Sequence, residues 1–250
     1  MMKHVILRIC CCLYISRILS SKIGQIITQR IGLDTPNFFH TDMQNKKIIH
    51  IIRHAQGLQN KELLTKSAAE IYFRIDLKDP SLTAEGREQC NEFNMKTKDN
   101  FDEVQLIVVS PMTRTLLTSE FCFPQLKGIV PWISCENIRE RTGKFLWDQR
   151  SDKSNLSSSY PLVDFSNLTS ETDGFFARYL DQREPPIEVI KRGTNFLNWL
   201  KTRPEKEIII VSHGGFLQYL FNKVLCCSDP FDRSEWGNCE MRSYIISFLD

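Results

Sequence analysis

A three-layer α/β/α sandwich around a mostly parallel central sheet is the fold class this sequence predicts. Three observations carry it. The apolar runs 48–52, 104–109 and Glu207–Ser212 are short and rich in β-branched residues, as strands buried on both faces are. Between them stand stretches with helix-start signals or helical spacing, the alternation that puts helices over a parallel sheet. A chain of 250 residues is also long enough to bury such a sheet as one domain carrying an insertion.

The elements follow in order. The folded domain, 47–250, opens with Ile48, Ile49, His50, Ile51 and Ile52, a buried strand ending at Arg53. Thr83, ahead of Glu85, Gly86, Arg87 and Gln89, is the N-cap of a helix. Residues 104–109 form the second strand. Ser110-Pro111 then begins a helix with Ser110 as N-cap and Pro111 as its first residue, where a missing N–H is harmless, so Arg114 falls in the first turn. Residues 129–134 are the next strand. The stretch 141–185 is polar, rich in Ser and Asp and without apolar period; its length marks an insertion that serves as a lid or substrate wall. Ile187, Ile190, Phe196, Leu197 and Leu200 give 187–201 an apolar helical face. The strand Glu207–Ser212 runs into His213-Gly214-Gly215 and an apolar helix over 216–225, and 241–249 closes the sheet as an edge strand.

Residues 1–46 read as a leader. Lys3, Arg8, Arg17, Lys22 and Arg30 precede the first acidic residue, Asp34, a targeting-like composition. Three readings stand side by side: a transit peptide over 1–33, a membrane-surface helix acylated at Cys10, Cys11 or Cys12, and translation that starts at Met43. Localisation is expected to be cytoplasmic, or mitochondrial or otherwise organellar if 1–33 is a transit peptide. Membrane contact is expected only through the leader, since no apolar run reaches spanning length. A net charge of +2 and the lack of a basic stripe interleaved with aromatics exclude nucleic acid as partner. Nine cysteines without a C-x-x-C pair or a framework spacing point to reduced thiols, most of them core fillers.

Three predicted strands end in groups suited to an anion: Arg53-His54, the Arg114 segment, and His213. Ligands of open α/β sheets gather at strand carboxyl ends, where a helix N-terminus and small residues such as Gly214 and Gly215 admit a phosphate. Arginines add bidentate donors. A neutral histidine can attack phosphorus through one ring nitrogen while the other donates a hydrogen bond that fixes the tautomer. Arg53, Arg114 and His213 would surround the equatorial oxygens of the group in transfer.

Four segments then resemble one family, the histidine phosphatase superfamily, also called phosphoglycerate mutase-like, in its intracellular plant and fungal branch. They are Arg53-His54-Ala55-Gln56-Gly57-Leu58-Gln59-Asn60, the D-x-x-L-T-x-x-G-x-x-Q element Asp79 to Gln89, Ser110-Pro111-Met112-Thr113-Arg114, and Val211-Ser212-His213-Gly214-Gly215. The resemblance runs from Lys47 to the C-terminus and implies a phosphoglycerate mutase-like fold. It implies His54 as phosphate acceptor, Glu140 as general acid and base, and His213 as the third catalytic residue. Arg53, Asn60, Arg114 and Gly214 would bind phosphate, with no metal and no cofactor. Asp148 and Arg150 match a downstream D-x-R feature, structural or at the substrate's edge. Two departures are visible. Ala55 stands where the family has Gly, and Gly57 replaces a Ser or Thr, which speaks against mutase chemistry. The expected activity is hydrolysis of a phosphorylated small molecule or phosphoprotein; the alternatives are phosphoglycerate mutase-type transfer and non-catalytic phosphate binding.

Overall fold

The computed structural model describes residues 26–31, 45–72, 74–227 and 230–248. Most of the leader, with Cys10–Cys12 and Met43, lies outside the described residues, as does Leu249 at the end of the last predicted strand. The strands are β1 (Ile26–Ile31), β2 (Lys46–Arg53), β3 (Leu106–Val109), β4 (Trp132–Ser134), β5 (Val163–Asp164), β6 (Glu207–Ser212), β7 (Cys226–Cys227) and β8 (Met241–Phe248). Among the described residues they form one sheet in the order β5-β4-β3-β6-β2-β8-β1-β7. Only β8 runs against its neighbours, β2 and β1; the other pairs are parallel. The helices are α1 (Leu58–Glu62), α2 (Ala84–Thr97), α3 (Thr113–Cys122), α4 (Lys153–Ser159), α5 (Gly174–Ala177), α6 (Pro186–Thr202) and α7 (Gly214–Tyr219).

Alternation along the buried strands sorts the core into two layers. Ile49, Ile51, Leu106, Val108, Ile208 and Ile210 face α6 and α7 through Val189, Phe196, Leu197, Leu200, Phe216 and Leu217. Ile52, Ile107, Val109, Ile209 and Val211 face the opposite way, toward Cys90 of α2 and Leu116 of α3. This is the expected three-layer sandwich. Fully burying a side chain such as Ile49 of β2 contributes about 1.5–3 kcal/mol, so the central strands are the stable frame on which the loops are set. His50 is tolerated inside β2 because both ring nitrogens are satisfied, Nδ1 by Ser243 Oγ at 2.7 Å and Nε2 by Glu207 Oε1 at 3.0 Å.

Several expectations need correcting. The strand over 241–249 is not at the edge: β1, from within the stretch set apart as leader, pairs along its outer side from Ile26↔Phe248 to Ile31↔Ser243. The sheet thus extends past the boundary at residue 47. Ser110 is not the N-cap of α3. Its N–H is still paired in the sheet, to Val211 O at 3.1 Å, and the helix starts only at Thr113. The cap comes from across the structure: Asp79 accepts the Thr113 N–H and Oγ1–H, both at 2.9 Å. Ile129 and Val130 belong to a turn closed onto Leu126, so β4 is shortened and starts only at Trp132. The helix expected over 216–225 begins at Gly214 and ends in a wide turn, Leu220–Val224, closed by the Leu225 N–H on Leu220 O. Thr83 caps α2 as expected, accepting from the Gly86 N–H at 2.9 Å.

The insertion packs closely. Its β5 lengthens the sheet beside β4, and Leu156, Tyr160, Val163, Phe165 and Leu168 join the α2–α3 layer without periodicity, since most of them sit in irregular backbone. Buried ion pairs fasten it: Arg139 to Asp173 at 2.7 Å and Arg192 to Glu184 at 2.8 Å.

Candidate active site

Strands β2, β6 and β3 are parallel neighbours at the centre of the sheet, and their register brings their carboxyl ends level. Arg53 lies beside Ser212 and Val109 beside Val211. The next residue of each chain segment therefore emerges at one place. His54 N–H bonds Ser212 O at 2.9 Å, and the His54 and His213 rings meet edge to face with centroids 5.0 Å apart. Both imidazoles are buried.

His54 is held in one tautomer. Its Nδ1 lies 2.7 Å from the Ala55 carbonyl oxygen, which can only accept, so Nδ1 carries the proton and Nε2 keeps its lone pair. Burial first, then the charges of Arg114 and Arg53, hold its pKa well below 6.5, and the ring is neutral at physiological pH. His213 is likewise held well below 6.5, by burial and then by Arg114. Its Nε2 contacts Ser110 Oγ at 2.8 Å. Ala55 has no positive φ, so the methyl that stands in place of glycine strains nothing.

The two arginines approach from different sides. Arg53, the last residue of β2, donates from Nη1 to the Trp236 carbonyl. A Cβ on Gly214 would stand only 3.1 Å from Arg53 Nε, so glycine there makes room for the guanidinium. Arg114, in the first turn of α3, is 1% exposed and donates from Nη1 to Trp147 O at 2.8 Å; Asp148 Oδ1 lies 3.9 Å from its Nη2. Burial lowers both arginines from their ordinary value, yet guanidinium remains the cation. Around His54, the buried nitrogens Arg53 Nε, Arg114 Nε and His213 Nδ1 have no hydrogen-bond partner among the described residues. Buried polar atoms are rarely left so, and three of them about one imidazole suit an anion with several oxygens.

Glu140 joins this group through the backbone. Its carboxylate accepts from the N–H groups of Gly215 at 3.1 Å, Phe216 at 3.0 Å and Arg141 at 2.8 Å. At the helix terminus expected to face phosphate, the N–H groups of Gly215 and Phe216 thus hold the Glu140 carboxylate. The glycines at 214 and 215 accommodate Arg53 and Glu140. Asn60 uses its Oδ1 to accept from Gly57 N–H at 3.0 Å and Gln59 Nε2 at 3.3 Å, closing the loop after His54.

Three contributors were not read as such from the sequence. Ser110 positions His213. Arg192, 5% exposed, donates to the carbonyls of Asn137, Arg139 and Glu140 and so clamps the segment that carries Glu140. Asp148, named only as structural or edge, is buried between Arg114 and Arg183, and burial pushes its carboxyl up to about 6 against the pull of Arg183 and then Arg114. Ser110 lies inside a recognised motif, but nothing around Arg192 marks it.

A family model described as histidine phosphatase superfamily, branch 1, matches residues 49–247. The chain is 32% identical over 232 residues to phosphoglycerate mutase-like protein 1 of Arabidopsis thaliana, covering 80% of this chain and 81% of that protein. It is 30% identical to a second phosphoglycerate mutase-like protein of the same plant, covering 80% and 84%. Among solved structures, a putative alpha-ribazole-5'-P phosphatase from Escherichia coli superposes with a TM-score of 0.52 at 16% identity, over 79% of this chain and 89% of that one, a likeness of fold.

Proposed function

The chain belongs to the histidine phosphatase superfamily, and on that premise we propose that it hydrolyses phosphomonoesters through a phosphohistidine formed on His54. The observation that carries the reading is the bond from His54 Nδ1 to Ala55 O at 2.7 Å, which commits the neutral ring's lone pair to Nε2, on a ring that also feels the charges of Arg114 and Arg53.

His54 Nε2 bonds to phosphorus as the ester P–O bond breaks, while Arg53, Arg114 and His213 take the charge on the equatorial oxygens. Glu140 gives its proton to the leaving alkoxide. A water molecule then attacks the phosphohistidine, loses its proton to Glu140, and the P–N bond breaks to return His54 and release phosphate. The substrate is a small phosphomonoester or a phosphorylated protein side chain.

The names of the plant relatives favour a second reading, phosphoryl transfer of the mutase kind. Product analysis decides between the two. The hydrolase releases free phosphate from p-nitrophenyl phosphate and from 3-phosphoglycerate, and label from a radioactive donor is trapped on the protein and lost in His54→Ala. Isomer formation from 3-phosphoglycerate without free phosphate would assign the mutase. No turnover and no trapped label would leave a phosphate-binding protein.

A further inference from the structure

Behind the loop that carries His54, the side chains of Cys90, Cys122 and Cys239 come together. Their Sγ atoms all lie within 4.8 Å of one another, and those of Cys122 and Cys239 are 3.7 Å apart. The three come from separate elements: Cys90 from α2, Cys122 from the end of α3, and Cys239 from the turn before β8. Cys90 and Cys122 are buried, while Cys239 is half-buried and gives an approach from solvent.

Buried cysteines are ordinarily small core fillers. Two features set this trio apart. Two thiolates bound to one metal at about 2.3 Å stand roughly 3.7–4 Å apart, so Cys122 and Cys239 already hold that spacing and the third sulfur is within an ångström of it. Cys239 also sits in left-handed backbone, φ 58°, a conformation that costs a residue with a Cβ about 1–2 kcal/mol, at the position that completes the triangle.

We propose that Cys90, Cys122 and Cys239 form a three-coordinate site for one thiophilic metal ion, Cu(I). The donor set is sulfur alone, the chemistry that soft ions select. Among the described residues no fourth His, Cys, Asp or Glu joins the group, which disfavours zinc, whose structural sites take four ligands. Binding replaces thiol protons, which leave to solvent, with metal–sulfur bonds; the ion keeps its oxidation state. The site would tie α2 and α3 to the turn that supports the nucleophile. Cys239 N–H and Asn238 Nδ2 donate to the His54 carbonyl at 3.3 and 3.0 Å, and Thr118 of α3 accepts the Ala55 N–H at 3.0 Å. The metal takes no part in phosphoryl transfer, so this proposal stands or falls apart from the catalytic one.

The test uses the reduced full-length chain, titrated without oxygen with Cu(I) against a chromogenic Cu(I) chelator. The parent protein should retain one more equivalent than C90S/C122S/C239S, with an ultraviolet thiolate-to-copper band and three sulfur neighbours by X-ray absorption. C122S, a residue outside the catalytic group, should hold that copper at least tenfold more weakly while still releasing phosphate from p-nitrophenyl phosphate. Should the triple variant fail to fold, C239S carries the comparison and must lose one sulfur from the copper shell. Equal copper retention by parent and variants overturns the proposal, because the remaining cysteines would then account for it. So does a zinc ion held at the trio in preference to Cu(I), or a nitrogen or oxygen ligand in the copper shell.

Discussion

Gly215 and Glu140 occupy each other's space: a Cβ built on Gly215 would collide with Glu140 Oε1 and come within 3.0 Å of its Cδ. Because the obstructed atoms are the far end of a flexible side chain, Gly215→Ala should fold, and the carboxylate should swing off the helix terminus. Positioned acid catalysis contributes about 10²–10⁴-fold. We expect kcat to fall about 10–100-fold for an alkyl phosphate and markedly less for p-nitrophenyl phosphate, whose leaving group needs little protonation, with KM little changed. Equal losses on both substrates would remove Glu140 from the role of acid.

The two central histidines make stability depend on pH. Both are held well below 6.5 when folded, whereas in the unfolded chain each titrates near about 6.5. Below that value the unfolded chain binds protons that the folded chain refuses. Their contribution is therefore complete above about pH 7.5 and is lost as pH falls through about 6.5 toward the depressed native values. Tm measured by scanning fluorimetry should drop on acidification, with a shallower slope in His213→Asn. Parallel slopes in the two proteins would contradict the assignment.

Ser110 and Asp79 exchange the roles that helix-start rules would assign. Ser110→Ala leaves His213 Nε2 buried without its partner while the cap of α3 stays in place, so activity should fall about 10-fold and stability by about 1–3 kcal/mol. Asp79→Ala strips the cap from Thr113 and also the bond to Ser151 N–H, and should cost about 1–2 kcal/mol in urea denaturation. Full activity in Ser110→Ala would remove Ser110 from the role of positioning His213.

Arg192 holds the Glu140 segment and neutralises buried Glu184. Arg192→Ala leaves that carboxylate buried and unpaired, a change that costs about 3–5 kcal/mol. The pair Arg192→Met with Glu184→Leu should recover most of the stability but not kcat, because nothing then grips the carbonyls of Asn137, Arg139 and Glu140. Full recovery of activity in the double variant would reduce Arg192 to a structural residue.

Much of this protein is written locally. The runs of Ile and Val that form β2, β3 and β6, the Thr83 cap, and the arginines and histidines that follow the strands are each specified within a few consecutive residues, where propensity and capping act. The resemblance on four motifs added Glu140 and the order of the segments. What pairs across long stretches of chain was decided by tertiary structure alone. β1 carries Thr28, Gln29 and Arg30 and looks like leader until β8 offers it an edge to pair with. Asp79 caps a helix 34 residues away, Arg192 reaches back to Glu140, and three scattered cysteines meet only because α2, α3 and the turn before β8 pack together. The physical reason is that sheet register and helix packing set distances between residues far apart in sequence, and no local pattern records a distance.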